Sequence, residues 1–434
     1  VNHLWLSIGP DDFETERLQC QQEGLDVSSV ELVKDPSTLA QNEASAYLEL
    51  LRHAPPIRDY PYVEPNGLEQ IRSARPAERF ARATHVEDLE DRIEGAWFGR
   101  CAGCLLGKPV EGWHRLHISE YLKETGRWPL DYYFSREADE EIRKRFGIDR
   151  RGPFIENIDR MPEDDDLNYT TVGLAILEKH GRQFTSEDVA EMWMDRIPIL
   201  RTCTAERVAY RNLCNGLVPP ESGQSNNPYR EWIGAQIRAD MWGYVNAGDP
   251  ETAAEFAWRD ARVSHVKNGI YGEMWVAAMI AAAFAEPNII HVIKAGLGEI
   301  PSKSRLADAI NRQLDNRHQM SSYEEAIDDI HSRWNEKRAH DWCHTISNAE
   351  VVAMALLWGE KDFQDSICIA VEAGFDTDCN GATVGSIIGA MQGRFFLPER
   401  WLKPLGDTLE TGVQGFHRVS IKKMAERTLR QAKT

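Results

Sequence analysis

Ala373-Gly374-Phe375-Asp376-Thr377-Asp378-Cys379-Asn380-Gly381-Ala382-Thr383-Val384-Gly385 sets two carboxylates two residues apart, between an apolar helix-like run ending near Ala373 and a small-residue run opening near Ala382. That placement crowds Asp376 and Asp378 together at a helix terminus. Crowded carboxylates repel one another unless a cation, a proton or a dense hydrogen-bond network neutralises them. Hard oxygen ligands of this kind suit Mg²⁺, Mn²⁺ or Ca²⁺ better than zinc. Asp376, Asp378, Asn380 and Gly381 also match the opening of an EF-hand loop, but Ile387 stands at its twelfth position, where a bidentate glutamate belongs. A second acidic knot, Glu163-Asp164-Asp165-Asp166, lies far upstream. The two knots are expected to fold onto one metal site.

Outward from these knots the chain reads as helix after helix. Val86, Leu89, Ile93, Ala96 and Trp97 recur at three- and four-residue spacing and feed the glycine-rich Gly99 to Gly107, where small residues let a helix approach its neighbours closely. Pro109 then ends the helix and leaves Glu111 on a loop. Asp164 to Asp166 fall at the N-terminus of the next periodic run, Tyr169 to His180, where carboxylates are favoured electrostatically. Capping needs one such residue, and three exceed it. Thr185 to Asp188 form a capping-box start. Further helices are expected over 205–213, 231–245, 250–264, 270–285, 305–312, 323–336, 348–358, 363–373, 382–392 and 421–431. Strand-like alternation is nearly absent and no repeat period is evident, so one all-α, orthogonal multi-helix domain is expected over residues 85–434. Residues 1–84, with Pro55, Pro56, Pro61, Pro65 and Pro76 among charged residues, read as an N-terminal extension packed in part on the main body. Leu116 to Arg160 reads as a charged, aromatic excursion with helical potential near Glu137 to Phe146.

Composition narrows the function classes. A chain of 434 residues is long enough for a substantial core. The formal net charge of −19, with no basic stripe, argues against nucleic acid as a partner. The longest apolar run, Met274 to Ala285, is too short to span a membrane, and Val1 to Pro10 has no signal-peptide character, so no membrane partner and a cytoplasmic location are expected. The eight cysteines are scattered. Cys203, Cys214, Cys343 and Cys368 sit within apolar patterns and read as buried free thiols, while the C-x-x-C of Cys101 and Cys104 reads as helix packing.

Three regions in order resemble the signatures of the ADP-ribosylglycohydrolase superfamily. They are the glycine-rich helix ending in a glutamate loop (Cys101 to Glu111), a Thr-Asp-Asp motif matched by Asp164-Asp165-Asp166, and an Asp-Thr-Asp-Thr motif matched by Asp376-Thr377-Asp378-Cys379. The resemblance implies an orthogonal all-α fold and two Mg²⁺ ions, with Mn²⁺ or Ca²⁺ as substitutes. Asp164, Asp165, Asp166, Asp376 and Asp378 would be the ligands, and Glu111 and Asp165 the catalytic carboxylates. Gly234-Ala235-Gln236-Ile237-Arg238 resembles the family's Gly-Ser-x-Met-Arg segment, which implies substrate contacts by Gly234, Ala235 and Arg238. His265 is similar to a substrate-contacting histidine, and His344 and Asn348 are further substrate-binding candidates. Two departures stand out: Asp164 where the family has threonine, and Cys379 where it has the last ligating threonine.

The resulting expectation is a metal-dependent hydrolase that cleaves a ribosyl or related glycosidic bond in a small-molecule glycoside or an ADP-ribosylated substrate. Two other classes compete with it. A terpene-synthase-like lyase also uses Mg²⁺ on aspartate-rich helices, but Leu167-Asn168-Tyr169 follow where more acidic residues would be needed. A non-catalytic ligand-binding member of the fold is the other, and the soft sulfur of Cys379 favours it.

Overall fold

The computed structural model describes residues 4–31, 35–148 and 152–434. Residues 1–3 and 32–34 of the expected extension, and 149–151 of the expected aromatic excursion, lie outside the described residues. At the centre are two antiparallel helices, Leu89–Gly107 and Thr377–Gln392. Each carries a small residue at every fourth position, so each turns a stripe of bare backbone toward the other. Gly95, Gly99, Gly103 and Gly107 meet Gly389, Gly385, Gly381 and Thr377 in turn. A Cβ at Gly103 would stand 1.9 Å from the Gly381 carbonyl oxygen, and one at Gly385 would stand 2.2 Å from that of Gly99. Both contacts are backbone against backbone, with no flexible side chain to yield. The Thr377 hydroxyl closes the ladder by donating to the Gly107 carbonyl at 2.9 Å. The end of one helix, with Lys108 to Glu111, is thereby fixed beside the start of the other, with Asp376 and Asp378.

Helices Lys267–Ala283, Thr345–Trp358 and Phe363–Glu372 pack against the second of these. The first two are apolar almost all round, as helices enclosed by protein must be. Short 3-10 turns apart, regular structure among the described residues is 22 α-helices and one strand pair, Leu409–Glu410 antiparallel to Arg418–Val419. The chain is all-α. No described helix is long and apolar enough to cross a membrane.

Most expected helices lie within a few residues of their predicted bounds, and the exceptions have physical causes. The run 231–245 does not form one helix. Ile233 N–H donates to the Cys343 carbonyl and Thr345 N–H to the Glu231 carbonyl, at 2.8 and 3.0 Å. Those bonds hold the segment as a bridge to a distant part of the chain, leaving a 3-10 turn at Gln236–Arg238 and a short helix at Asp240–Val245. The excursion after Glu111 contains a helix, Arg115–Glu124, that buries Ile118, Tyr121 and Leu122, and a further helix spans Ile289–Leu297 with Asn288 as its cap. Cys343 and Cys368 are buried as expected, but Cys203 and Cys214 are exposed.

The N-terminal region has a small core of its own. Helices Pro10–Gln22 and Gln41–Arg52 bury Phe13, Cys20, Val27, Tyr47, Leu48 and Leu51 between them. The proline-rich chain that follows is pinned to the main body by polar contacts. Glu64 pairs with Arg305, Arg72 with Glu255 at 2.7 Å and Arg75 with Glu251 at 2.9 Å, and the Trp258 indole donates to the Asn66 carbonyl.

Candidate functional site

The ladder and the N-terminus of helix Asp165–His180 bring the two acidic knots and Glu111 together. Asp164 is the N-cap of that helix: its Oδ1 accepts the Asp166 N–H at 2.9 Å. Its Oδ2 receives the Lys108 ammonium at 2.5 Å. Asp166 Oδ1 takes one arm of the fully buried Arg100, at 2.9 Å, and the same guanidinium lies 2.8 Å from Asp240. Asp376 caps helix Thr377–Gln392, and its N–H donates to Asn348 Oδ1 at 3.1 Å. That oxygen also accepts from Asn380, at 2.8 Å, while the Asn348 amide donates to the Trp342 and His344 carbonyls. Asn348 thus fixes the turn that aims Asp376.

Glu111, Asp165, Asp376 and Cys379 line a cavity of about 910 Å³, and Asp164, Asp166 and Asp378 lie buried behind them. The cluster holds six carboxylates against two cations, Lys108 and Arg100. Burial, followed by the neighbouring carboxylates, pushes Asp165 and Asp378 far above the usual range. Asp166 rises likewise despite Arg100, and Asp376 rises to about 6. Asp164 alone is lowered: burial raises it, but the Lys108 ammonium and the hydrogen bonds from Lys108 and Asp166 together outweigh that cost. Glu111 is pushed up to about 7 by burial and by Asp376 and Asp164.

These residues fit a divalent cation. Asp166 Oδ2 and Asp378 Oδ1 are buried with no hydrogen-bond partner, an arrangement that burial alone makes costly. Ligand atoms of Cys104, Asp164, Asp166 and Asp378 lie within 4.8 Å of one another, as do those of Asp376, Asp378 and Cys379. Burial and the carboxylates raise the Cys104 and Cys379 thiols, so neither is readily a thiolate and the hard oxygens are the donor set.

The remaining predicted residues divide. Gly234 lines the cavity, and a Cβ there would stand 2.1 Å from a Glu206 carboxylate oxygen. Ala235, Arg238, His265, His344 and Asn348 are buried and do not line it. Arg238 is enclosed by carboxylates, 2.6 Å from Glu206, 2.9 Å from Asp260 and 3.5 Å from Glu273. His265 shares a hydrogen bond with Ser264, and burial beside Arg238 holds it well below the usual histidine range. His344 accepts from the Ile346 N–H as a helix cap and stacks on Trp334. Sequence reasoning missed Lys108, Arg100 and Cys104 in the cluster. It also missed Tyr169, Trp232 and Trp342 in the cavity wall. Lys108, directly after the glycine stripe and three residues before Glu111, was the one available signal.

Residues 85–434 match the ADP-ribosylglycohydrolase family. The chain belongs to that family. An uncharacterised protein of Archaeoglobus fulgidus is 24% identical over 324 residues, covering 74% of this chain and 93% of its own. A solved structure described as an ADP-ribosylglycohydrolase-related protein complex is 18% identical with a TM-score of 0.48, covering 80% of this chain and 99% of that one. Membership gives the carboxylate cluster a family context, and the residues before 85 lie outside the matched region.

Proposed function

We propose that this chain is a metal-dependent glycoside hydrolase acting on an N- or O-glycosidic bond of a ribosyl or related sugar, in a small molecule or an ADP-ribosylated substrate. The observation that carries the reading is Glu111 and Asp165 facing one cavity above Asp166 and Asp378, whose buried oxygens have no partner. Asp165, Asp166, Asp376 and Asp378 would hold Mg²⁺ or Mn²⁺, two ions by resemblance, with Asp164 tied to Lys108. When bound, the cation would neutralise the cluster and lower the pKa of a water. Glu111, raised to about 7, is close to half protonated at neutral pH, and its protonated form can pass the proton to the leaving atom as the glycosidic bond breaks. Asp165, which lines the cavity, can orient the water whose oxygen forms the new bond to the anomeric carbon, and can accept its proton once a bound cation offsets the carboxylates that hold Asp165 protonated. All eight cysteines are free, which fits a reducing, cytoplasmic setting.

A second reading, a ligand-binding protein without turnover, draws on the Lys108–Asp164 pair, which neutralises part of the cluster without an ion. A hydrolysis screen over ADP-ribosyl conjugates, nucleosides and furanosides, with Mg²⁺ or Mn²⁺, separates the two. Turnover is expected. Asp165→Ala should abolish it, and Glu111→Gln should keep metal binding but slow it by roughly a hundredfold or more. Metal binding with no substrate cleaved would favour the second reading.

A further inference from the structure

The cavity above the aspartates is only partly built from the family region. Its outer wall is made by residues 4, 5, 7–12, 15, 37, 39 and 41, which precede that region. The wall is anchored. Gln41 exchanges hydrogen bonds with the Ile8 backbone at 2.8 and 2.9 Å, Asp12 accepts the Gly9 N–H at 2.5 Å and bonds the Tyr229 hydroxyl, and Arg207 donates to the Leu4 carbonyl at 3.3 Å. Arg207 also packs its guanidinium on the Trp5 ring at 4.8 Å. Trp5 meets Tyr229 edge-on, and Tyr229 meets Trp232 edge-on at 4.7 Å. The result is an aromatic corner, completed by Trp342, whose indole N–H is buried with no partner.

The charge of this cavity is one-sided. Among the described residues that line it, six carry carboxylates, Asp11, Asp12, Glu111, Asp165, Glu206 and Asp376, and none is lysine or arginine. The N-terminus of helix Pro10–Gln22, which could otherwise receive a phosphate, is filled by the Asp12 carboxylate. Arg238 is taken by three carboxylates, and Ala235 has no side-chain donor. With a cation on the aspartate cluster and Glu206 paired with Arg238, the outer wall still presents the Asp11 and Asp12 carboxylates to a diphosphate, with no cationic side chain among the described wall residues to receive it. A planar cation or an uncharged ring would find aromatic faces and negative potential.

Building on the hydrolase reading, we propose that the N-terminal wall, with Trp5 at its centre, is the aglycone subsite and selects a phosphate-free N-glycoside whose planar aglycone is uncharged or cationic. The extension is therefore a specificity element, and residues 4–12 hold the part of the substrate that leaves.

Calorimetric titration of the full chain carrying Glu111→Gln, which keeps metal binding and slows cleavage, in Mg²⁺ with nicotinamide riboside, inosine and ADP-ribose tests this. Nicotinamide riboside should bind at least roughly tenfold tighter than ADP-ribose, with inosine also ahead of ADP-ribose. Trp5→Ala should weaken both ribosides by roughly tenfold and Trp5→Phe should recover most of the loss, which a folding defect would not do. Asp11→Lys should narrow the gap by tightening ADP-ribose. ADP-ribose binding as tightly as the ribosides, no binding of either riboside, or indifference to Trp5→Ala would each overturn the proposal. Binding decides it without turnover. A chain that prefers the ribosides but, with Glu111 intact, cleaves nothing overturns the hydrolase reading alone, and one that cleaves ADP-ribosyl conjugates with no preference for the ribosides overturns this inference alone.

Discussion

Lys108 brings its ammonium within 2.5 Å of Asp164, in a cluster whose other positive side chain, Arg100, is shared with Asp240. A divalent ion and this ammonium compete for the same negative field, and like charges a few ångströms apart in protein cost about 1 kcal/mol or more. Lys108→Met should therefore lower the stability of the metal-free chain by about 3 kcal/mol, since it leaves a buried carboxylate unpaired. It should also enlarge the rise in Tm that Mg²⁺ produces. Thermal melts of both proteins over a Mg²⁺ series measure this, and an equal or smaller rise in the variant would mean that no cation reaches Asp164. The aspartates themselves are readable from sequence, because their type and spacing have few other uses. Lys108 is marked only by its place after the glycine stripe, and its meaning depends on a partner 56 residues away. The segment around Arg238 is recognisable, but its task is not: Glu206, Asp260 and Glu273 reach it from three separate helices.

The two glycine-striped helices set the distance between Glu111 and Asp378, because their backbones touch over four successive turns. Gly103→Ala would place a methyl 1.9 Å from a carbonyl oxygen of the facing helix, so the helices must part along their length. The expected cost is about 3 kcal/mol or more, at the upper end of overpacking effects because backbone cannot rotate aside. Urea unfolding reads it directly, and a loss below about 1 kcal/mol would show that the helices separate freely. The stripe is visible in the sequence as small residues at four-residue intervals, and so are most helices, whose apolar faces recur at helical period. The break inside 231–245 is invisible there, because the hydrogen bonds that replace the helix come from residues 343–345. Arg115–Glu124 is hidden for a different reason. Its short buried face, Ile118, Tyr121 and Leu122, is interleaved with charge and followed by Trp128 and Pro129, so its period is too brief to stand out.

At the scale of the whole molecule, buried ion pairs join the family region, residues 85–434, to the described residues that precede it. Arg230 gives one nitrogen to both oxygens of Glu16 at 2.8 Å and another to Glu23 at 2.7 Å. Lys267 reaches Glu23 at 2.6 Å, and Arg305 bridges Glu64 and Glu231. Glu16 is fully buried, yet Arg230 and Arg52 hold its carboxyl at about 2 against 4.5 ordinarily, and Glu23 and Glu231 are lowered as well. A carboxyl depressed by folding stabilises the folded form above its unfolded value and loses that contribution as pH falls toward the folded one, so Glu16 is worth about 3 kcal/mol above pH 5. Asp12 runs the other way, raised by burial. The extension should accordingly stay docked down to about pH 4.5 and detach between there and pH 2. Pepsin cleavage within residues 52–84, followed alongside the helical circular dichroism of the main body, separates undocking from global unfolding. Glu16→Gln should expose those sites at higher pH and flatten the dependence, because one fewer lowered carboxyl joins the two parts, with Glu23, Glu231, Glu251 and Glu255 remaining. An unchanged profile in that variant would mean that the apolar contacts of Trp5, Leu68 and Ile71 with the main core, rather than the ion pairs, keep the wall of the cavity in place.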